Sequence, residues 1–381
     1  MPRVAKARKG KRITVLQRPV PFSFWPMYRT TRRFGLQSTV FALDPWTIIR
    51  ASIDRRCPVN GKAEAFSSLE QAQDFYKAAT TAGIIASRPL LLYYCFMNLA
   101  KAFALTVQQQ TSFNQAHHGL SERLRAPHKE LDDAFLQSHK SPNARTHAYN
   151  LFDELLQAVS GIGLAADKDF DLPVLLPQVV PGHRLWAEAM NVPERFIAIH
   201  EIRFNEDSRN KTIWLSIDIF ADDLTRLGVT HTRLLKEARL YGKFREVETK
   251  TKINGRKLIR FEQLQPRAYT HRPSDEVSKL VGDIKPMLWS TVASVPPYRR
   301  YYVYLAPVAE HDQVLPQLLS IYAITYYLGS ITRYRPHHFD SIISSLLGPR
   351  IEEFISGQPL QFIYLMASEF AEQDVTRPSI V

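Results

Sequence analysis

Ser87-Arg-Pro-Leu-Leu-Leu-Tyr-Tyr-Cys-Phe-Met-Asn-Leu-Ala-Lys-Ala102 is the stretch from which the architecture can be read. Pro89 suits the first turn of a helix, where its missing N–H has no intrahelical partner to lose. The run that follows is apolar on nearly every side. Such a helix, expected to reach about residue 108, must be covered on several faces, so it belongs to a core of helices, with Cys95 inside it. Ser67 and Glu70 have the spacing of a capping box and predict a helix over 67–82. A further helix is expected over 148–159. Toward the C-terminus three more are expected, over 313–332, 336–356 and 360–373, divided by Arg335-Pro336 and Gly357-Gln-Pro359. The uncharged stretch 313–332 is about as long as a membrane span, but its Pro316, Gln317, Ser320 and Gly329 fit a buried core helix better, so no membrane partner is expected.

Between these ends the hydrophobic period shortens toward two. Strands are expected over 196–204, 211–219, 243–252, 256–263 and 300–305, with Asn254-Gly255 as the strongest hairpin signal in the chain. A helix is expected over 222–240. The fold class expected is α+β, mainly α, with a helical core built from both chain ends and a central β-containing insert. The corresponding divisions are a basic, aromatic arm over 1–60, a helical part over 61–165, a β-containing middle over 166–310 and completing helices over 311–381.

The 381 residues are 45% hydrophobic and include 21 Phe, 16 Tyr and 5 Trp, which excludes a disordered or fibrous chain. Two cysteines, Cys57 and Cys95, can form neither a disulfide framework nor a four-cysteine zinc site, so a reducing, cytoplasmic setting is expected. The formal charge is +12, and residues 1–56 hold thirteen Lys and Arg against Asp44 and Asp54, so nearly all the excess lies there. An arm of this kind attracts phosphates by releasing counterions. Its candidate nucleic-acid contacts are Arg8, Lys9, Lys11, Arg12, Arg32 and Arg33. Tyr298-Arg299-Arg300-Tyr301-Tyr302 adds Arg299 and Arg300 beside rings that could stack on bases. The plain alternative is a solvated tail, or a segment that docks on an acidic partner protein. Gln17, Arg18 and Pro19 interrupt the short apolar run 13–16, so no secretory leader is expected.

Tyr94, Asn98 and Lys101 share one face of the apolar helix. Buried polar groups need partners, so that face is a candidate pocket, with Lys101 as a phosphate contact or, more plainly, as part of a structural network. His117-His118 could join such a pocket as proton carriers or stabilise a turn. No metal site is expected, since no paired His spacing, carboxylate pair or Cys accompanies them. The chain has no Gly-rich phosphate loop and no Gly-x-Ser-x-Gly elbow, and no cofactor is expected.

Four segments in order, 87–102, His117-His-Gly-Leu120, Leu319-Ser-Ile-Tyr-Ala323 and Arg333-Tyr-Arg-Pro336, resemble the bacterial YaaC-like family from about residue 65 to the C-terminus. The resemblance implies a bacterial cytosolic protein and no settled activity. The first sixty residues lie outside it. Arg333-Tyr334-Arg335-Pro336-His337-His338 is also similar to the Arg-x4–6-His motif of HEPN ribonucleases, which place these residues at a dimer cleft. That similarity implies Arg333 and His338 as a catalytic pair, cleavage of RNA in phage defence, and a homodimer. The chain departs from the motif at Tyr334, where a small polar residue is favoured, and at Pro336, which ends a helix. The function expected is nucleic-acid binding, of RNA or DNA, with RNA cleavage as its enzymatic form. The alternative is a non-catalytic interaction or scaffold protein.

Overall fold

The computed structural model describes residues 4–26, 39–81, 85–107, 110, 112–113, 115–126, 131–143, 146–296 and 300–378. It is mixed α+β with more helix than strand. The chain divides into two units: Met1–Phe41 with Arg195–His311 and Glu372–Thr376, and Ala42–Glu194 with Asp312–Ala371 and Arg377–Val381. The stretch 1–60 is therefore shared between them, and its candidates Arg32 and Arg33 lie outside the described residues, as does Arg299.

The second unit is built on helices α1 (Pro45–Arg56), α2 (Val59–Thr81), α3 (Arg88–Thr106), α4 (Leu151–Ser160), α5 (Gln317–Tyr334), α6 (Pro336–Ile343) and α7 (Gly348–Ala371). The apolar run at 88–106 is the centre: α3 packs on α2, α4, α5 and α7. Cys95, Leu99, Ala100, Ala102 and Leu105 are fully buried. Phe96 stacks on Phe362 at 3.7 Å and Phe103 meets Phe370 edge-on at 5.0 Å. By length and composition α3 could cross a membrane, but most of its side chains are buried inside this unit.

Four helices of this unit differ from expectation. α6 stops at Ile343, where a helix over 336–356 is expected. α1 has no counterpart among the expected elements; Asp44 caps it by accepting from the Trp46 N–H at 3.0 Å, and Pro45 opens its first turn. α2 begins at Val59, so Ser67 and Glu70 sit inside it; the burial of Gly61, Ala65 and Leu69 outweighs the local capping signal. α7 runs through Gly357-Gln-Pro359 without a break. An interior proline costs about 3 kcal/mol. The burial of Phe362, Ile363, Tyr364 and Met366, none of them exposed, more than offsets it at roughly 1.5–3 kcal/mol each.

The linker-like region 110–147 also holds structure. Strands β1 (Leu120–Leu124), β2 (Ala134–Ser138) and β3 (Lys168–Asp171) form an antiparallel sheet in the order β1-β2-β3. Leu120, Ala134, Leu136 and Phe170 are buried, while Arg123 is exposed and Ser121, Phe135 and Gln137 are partly so.

The first unit is a mostly antiparallel sheet of β4 (Phe196–Asp207), β5 (Thr212–Phe220), β6 (Phe244–Val247), β7 (Arg256–Gln263), β8 (Val292–Val295) and β9 (Arg300–Tyr304), ordered β6-β7-β5-β4-β9-β8. Asn254 and Gly255 both have positive φ, 49° and 80°, as a tight hairpin requires. The segment 222–240 forms two short helices, Ala221–Arg226 and His231–Glu237, because Gly228 turns the chain at φ 62° and Thr230 caps a new start.

The N-terminal segment is woven into this sheet, with Lys11–Arg12 paired to β4. Arg8 donates to the carbonyls of Gln263 and Leu264 at 2.5 Å each and lies 3.8 Å from Glu262. Lys11 pairs with Glu206 at 3.3 Å and Arg12 with Glu201 at 2.7 Å. These contacts neutralise part of the arm. Lys9 stays exposed and has no partner among the described residues.

Candidate basic site on the helical unit

The site begins with a close helix crossing. At Gly329 of α5 an added Cβ would lie 3.1 Å from the Tyr93 Cβ and 3.2 Å from the Pro89 carbonyl oxygen. α5 therefore approaches α3 as only glycine permits. One turn further along α5, Arg333 donates to the Tyr94 hydroxyl at 3.2 Å. Gly329→Val should force the helices apart, cost about 1–3 kcal/mol in chemical denaturation and break the Arg333–Tyr94 hydrogen bond.

Tyr94, Asn98 and Lys101 lie along one face of α3, and Asn98, only 4% exposed, donates to the Tyr94 carbonyl at 3.0 Å. Asn98 is thus internally satisfied, while Lys101 remains partly exposed at the far end of the face. His117 and His118 arrive on a short strand, Ala116–His117, that pairs in parallel with Tyr149–Asn150. Gly119 follows at φ 76°, against the backbone of Asn150 and Phe152, and turns the chain so that His118 stands over α3. His118 Nδ1 and the Tyr93 hydroxyl are 2.5 Å apart. Nε2 is the nitrogen left for a ligand.

The electrostatics are one-sided. Burial lowers the His118 pKa first, and the nearby charges of Lys101, Arg333 and His117 lower it further. Lys101, Arg333, His117 and His118 have no carboxylate partner among the described residues. Glu122, the acid on the adjoining strand, is taken by Arg335 at 2.6 Å. Burial drives Tyr93 well above the ordinary tyrosine range, with Tyr322 and Tyr326 beside it, and holds Tyr326 at about 12. Those phenols stay protonated, so no anion forms to offset the cations.

Aromatic faces border the same place. Tyr94 stacks on Phe75 of α2 at 5.3 Å. Tyr334 is 65% exposed, with the Arg333 guanidinium 4.9 Å from its ring centre.

The structure therefore joins Arg333 to the face of Tyr94, Asn98 and Lys101 and to His117 and His118, two sets that have no link in the sequence. His338 sits on α6, its Nδ1 shielded from solvent and its ring 4.0 Å from His337. The charge of Arg333 is among the causes that lower the His118 pKa, after burial and Lys101. Arg300 lies in the other unit, exposed on β9, where the neighbouring Tyr301 packs on Phe22 and Phe24. Glu122, Tyr326 and Phe75 are not among the sequence candidates. Nothing local in the sequence marks any of the three.

A family model described as YaaC-like Protein matches residues 38–370, which includes every residue of this site. The chain belongs to the YaaC-like family. No curated protein and no solved structure matches it. Of the segments that carried the sequence resemblance, 87–102, 117–120 and 333–336 contribute residues to the basic cluster of this YaaC-like protein, and Tyr322 of 319–323 meets Tyr93 edge-on at 6.0 Å.

Proposed function

We propose that this YaaC-like protein binds single-stranded nucleic acid at the cluster of Lys101, His117, His118 and Arg333. The site would sit on a helical core drawn from both ends of the chain, in a bacterial cytoplasm. The observation that carries this reading is that four basic groups from three separate segments converge without a carboxylate among the described residues. Phosphates supply the missing charge, and Phe75, Tyr94 and Tyr334 supply the stacking surface that single strands use. Lys9 and other residues of the basic arm add phosphate contacts of lower specificity.

A salt titration with labelled single-stranded RNA and duplex DNA tests it. Affinity for the single strand that falls steeply with salt supports the reading. No binding at low salt discards it in favour of a partner protein.

Binding should also depend on pH. In the free protein the His118 imidazole resists protonation, because burial, Lys101, Arg333 and His117 all oppose the charge, with the neutral phenols of Tyr93 and Tyr326 on its other sides. A bound phosphate reverses that balance, so binding takes up a proton. Affinity for RNA should rise as pH falls from about 7.5 to about 5.5. The rise should shrink in His118→Gln, as read by fluorescence anisotropy.

A second reading, RNA cleavage, is favoured by the electrostatic reach between Arg333 and His118. His118 would then take the proton of a ribose 2′-hydroxyl as that oxygen attacks the phosphorus held by Arg333 and Lys101. The bond to the 5′-oxygen breaks, the departing 5′-oxygen takes a proton from water, and a cyclic phosphate remains. Strand cleavage lost in His118→Ala and kept in His338→Ala would support it. The reverse pattern would return the role to His338.

A further inference from the structure

On the small sheet of the helical unit a second set of side chains is aligned. Ser121 Oγ lies 3.2 Å from His139 Nε2, and His139 Nδ1 lies 3.0 Å from Asp167 Oδ2. The other carboxylate oxygen of Asp167 accepts from the Lys140 backbone N–H at 2.9 Å, which fixes its orientation. The bond from His139, and after it the one from Lys140, holds this carboxyl below the usual carboxylate range.

Strand register assembles the set. Ser121 is the second residue of β1, His139 directly follows β2 and Asp167 directly precedes β3. Ser121 pairs with Gln137 and Ser138 with Lys168, so the three neighbouring strands deliver all three residues to one end of the sheet. The His139 N–H bonds to the Gly119 carbonyl at 2.9 Å, which anchors the imidazole segment to the start of β1.

β1 is the edge of this sheet. Gly119 and Arg125 bond across to β2 and its flanks, so the odd-numbered residues face β2 and the amides of Leu120 and Glu122 point off the free edge. The Leu120 carbonyl, which accepts from Tyr326, shows the same outward direction. The Glu122 N–H therefore stands beside Ser121 on the side away from His139. An amide directly after a nucleophilic serine is well placed to donate to an oxyanion.

We propose that Ser121, His139 and Asp167 form a nucleophilic triad that hydrolyses small, activated carboxylic esters. Ser121 Oγ attacks the carbonyl carbon while His139 Nε2 takes the hydroxyl proton. The Glu122 N–H meets the oxygen that gains the negative charge. His139 then gives the proton to the departing alkoxide, the ester C–O bond breaks, and acyl-Ser121 remains. A water molecule, deprotonated by His139, attacks that acyl group; the carboxylic acid leaves and Ser121 regains its proton. Asp167 is a positioning residue, acting through the imidazole.

The substrate class follows from the surroundings. The His139 side chain is 30% exposed and that of Asp167 56%, so water is not excluded. One outward amide is a modest oxyanion donor. Amides, with poor leaving groups, are out of reach, whereas aryl esters are not. Glu122, on the alternate face of β1, is paired with Arg335, and this chemistry is independent of the basic cluster.

The test uses the full chain with a fluorophosphonate probe and 4-nitrophenyl acetate. The expected result is one adduct, mapped to Ser121 by mass spectrometry, and a burst of 4-nitrophenol. Ser121→Ala should remove both. His139→Ala and His139→Gln should slow labelling by about 10²–10⁴-fold with unchanged circular dichroism. Asp167→Asn should slow it less, and Asp167→Glu should recover part of the rate, which a merely structural role would not do. No adduct on Ser121 in the folded wild-type protein overturns the proposal. So does labelling of Ser121 at an undiminished rate in a folded His139 variant.

Discussion

Replacing Lys101 and Arg333 together by alanine should weaken binding of single-stranded RNA by more than about tenfold at low salt, and the slope of log affinity against log salt should fall by about one for each phosphate that is no longer neutralised. Both cations stand without a carboxylate among the described residues, so neither is already spent on an internal pair. Removing them should also relieve His118, whose pKa they lower after burial, and raise it toward the ordinary imidazole range. The control is the charge pair of Arg12 with Glu201, 2.7 Å apart in the other unit. Arg12→Ala removes the same kind of charge, yet its guanidinium is already neutralised, so the salt slope should barely change. Equal losses per charge removed from Arg12→Ala and from the double site variant would show that only total charge matters, and the cluster would not be the binding site.

Arg350→Ala should destabilise the helical unit by about 3–5 kcal/mol, lowering its Tm by roughly 10 °C. Arg350 is completely buried in α7. It donates to the carbonyls of Pro181 at 2.5 Å, Leu176 at 3.1 Å and Val179 at 3.3 Å. Those carbonyls belong to a turn where Pro177 and Pro181 interrupt regular pairing, so the guanidinium does what a neighbouring strand would otherwise do. Burial pushes its pKa down to about 10, with Glu353 pulling the other way, and it remains charged at neutral pH. Alanine removes the side-chain donor to the Leu176 and Val179 carbonyls and leaves the Pro181 carbonyl with only the Gln358 amide at 3.3 Å, together with a cavity. Lysine can reach only part of the fork, so Arg350→Lys should fall between. Urea denaturation followed by circular dichroism measures both. A loss under about 1 kcal/mol for alanine would mean that water satisfies the turn equally well.

Local pattern is informative where one physical constraint dominates. An apolar run bounded by Pro89 can only be a covered helix, and α3 is that. The dipeptide Asn254-Gly255 announces its hairpin because few residues tolerate positive φ at both positions. The strands over 196–207 and 212–220 follow from alternation and β-branched content. Pattern is less informative where packing overrides it. Gly357-Gln-Pro359 reads as a break, yet α7 continues, since the side chains beyond it gain more from burial than one missing hydrogen bond costs. The three-stranded sheet around Ser121 is hidden from a local reading because its strands are four or five residues long and lie among polar, His-containing loops.

The candidate sites divide in the same way. Chemical type, period and charge are properties of short stretches, so the chain alone is enough to single out Lys101, His118 and Arg333 and to show that the positive excess lies at one end. It is also enough for a resemblance to the YaaC-like family, which the match over residues 38–370 bears out, although that match also takes in residues 38–60, which the sequence reading leaves outside the family. Which of those residues meet is a property of the fold. Arg333 and Tyr94 are 239 residues apart and touch because Gly329 lets two helices close on each other. Arg8, Lys11 and Arg12 look like free phosphate contacts in the chain, and the sheet pairs them with backbone carbonyls and with Glu262, Glu206 and Glu201. Ser121, His139 and Asp167 align through strand register, which depends on long-range hydrogen bonding that no local window of sequence contains.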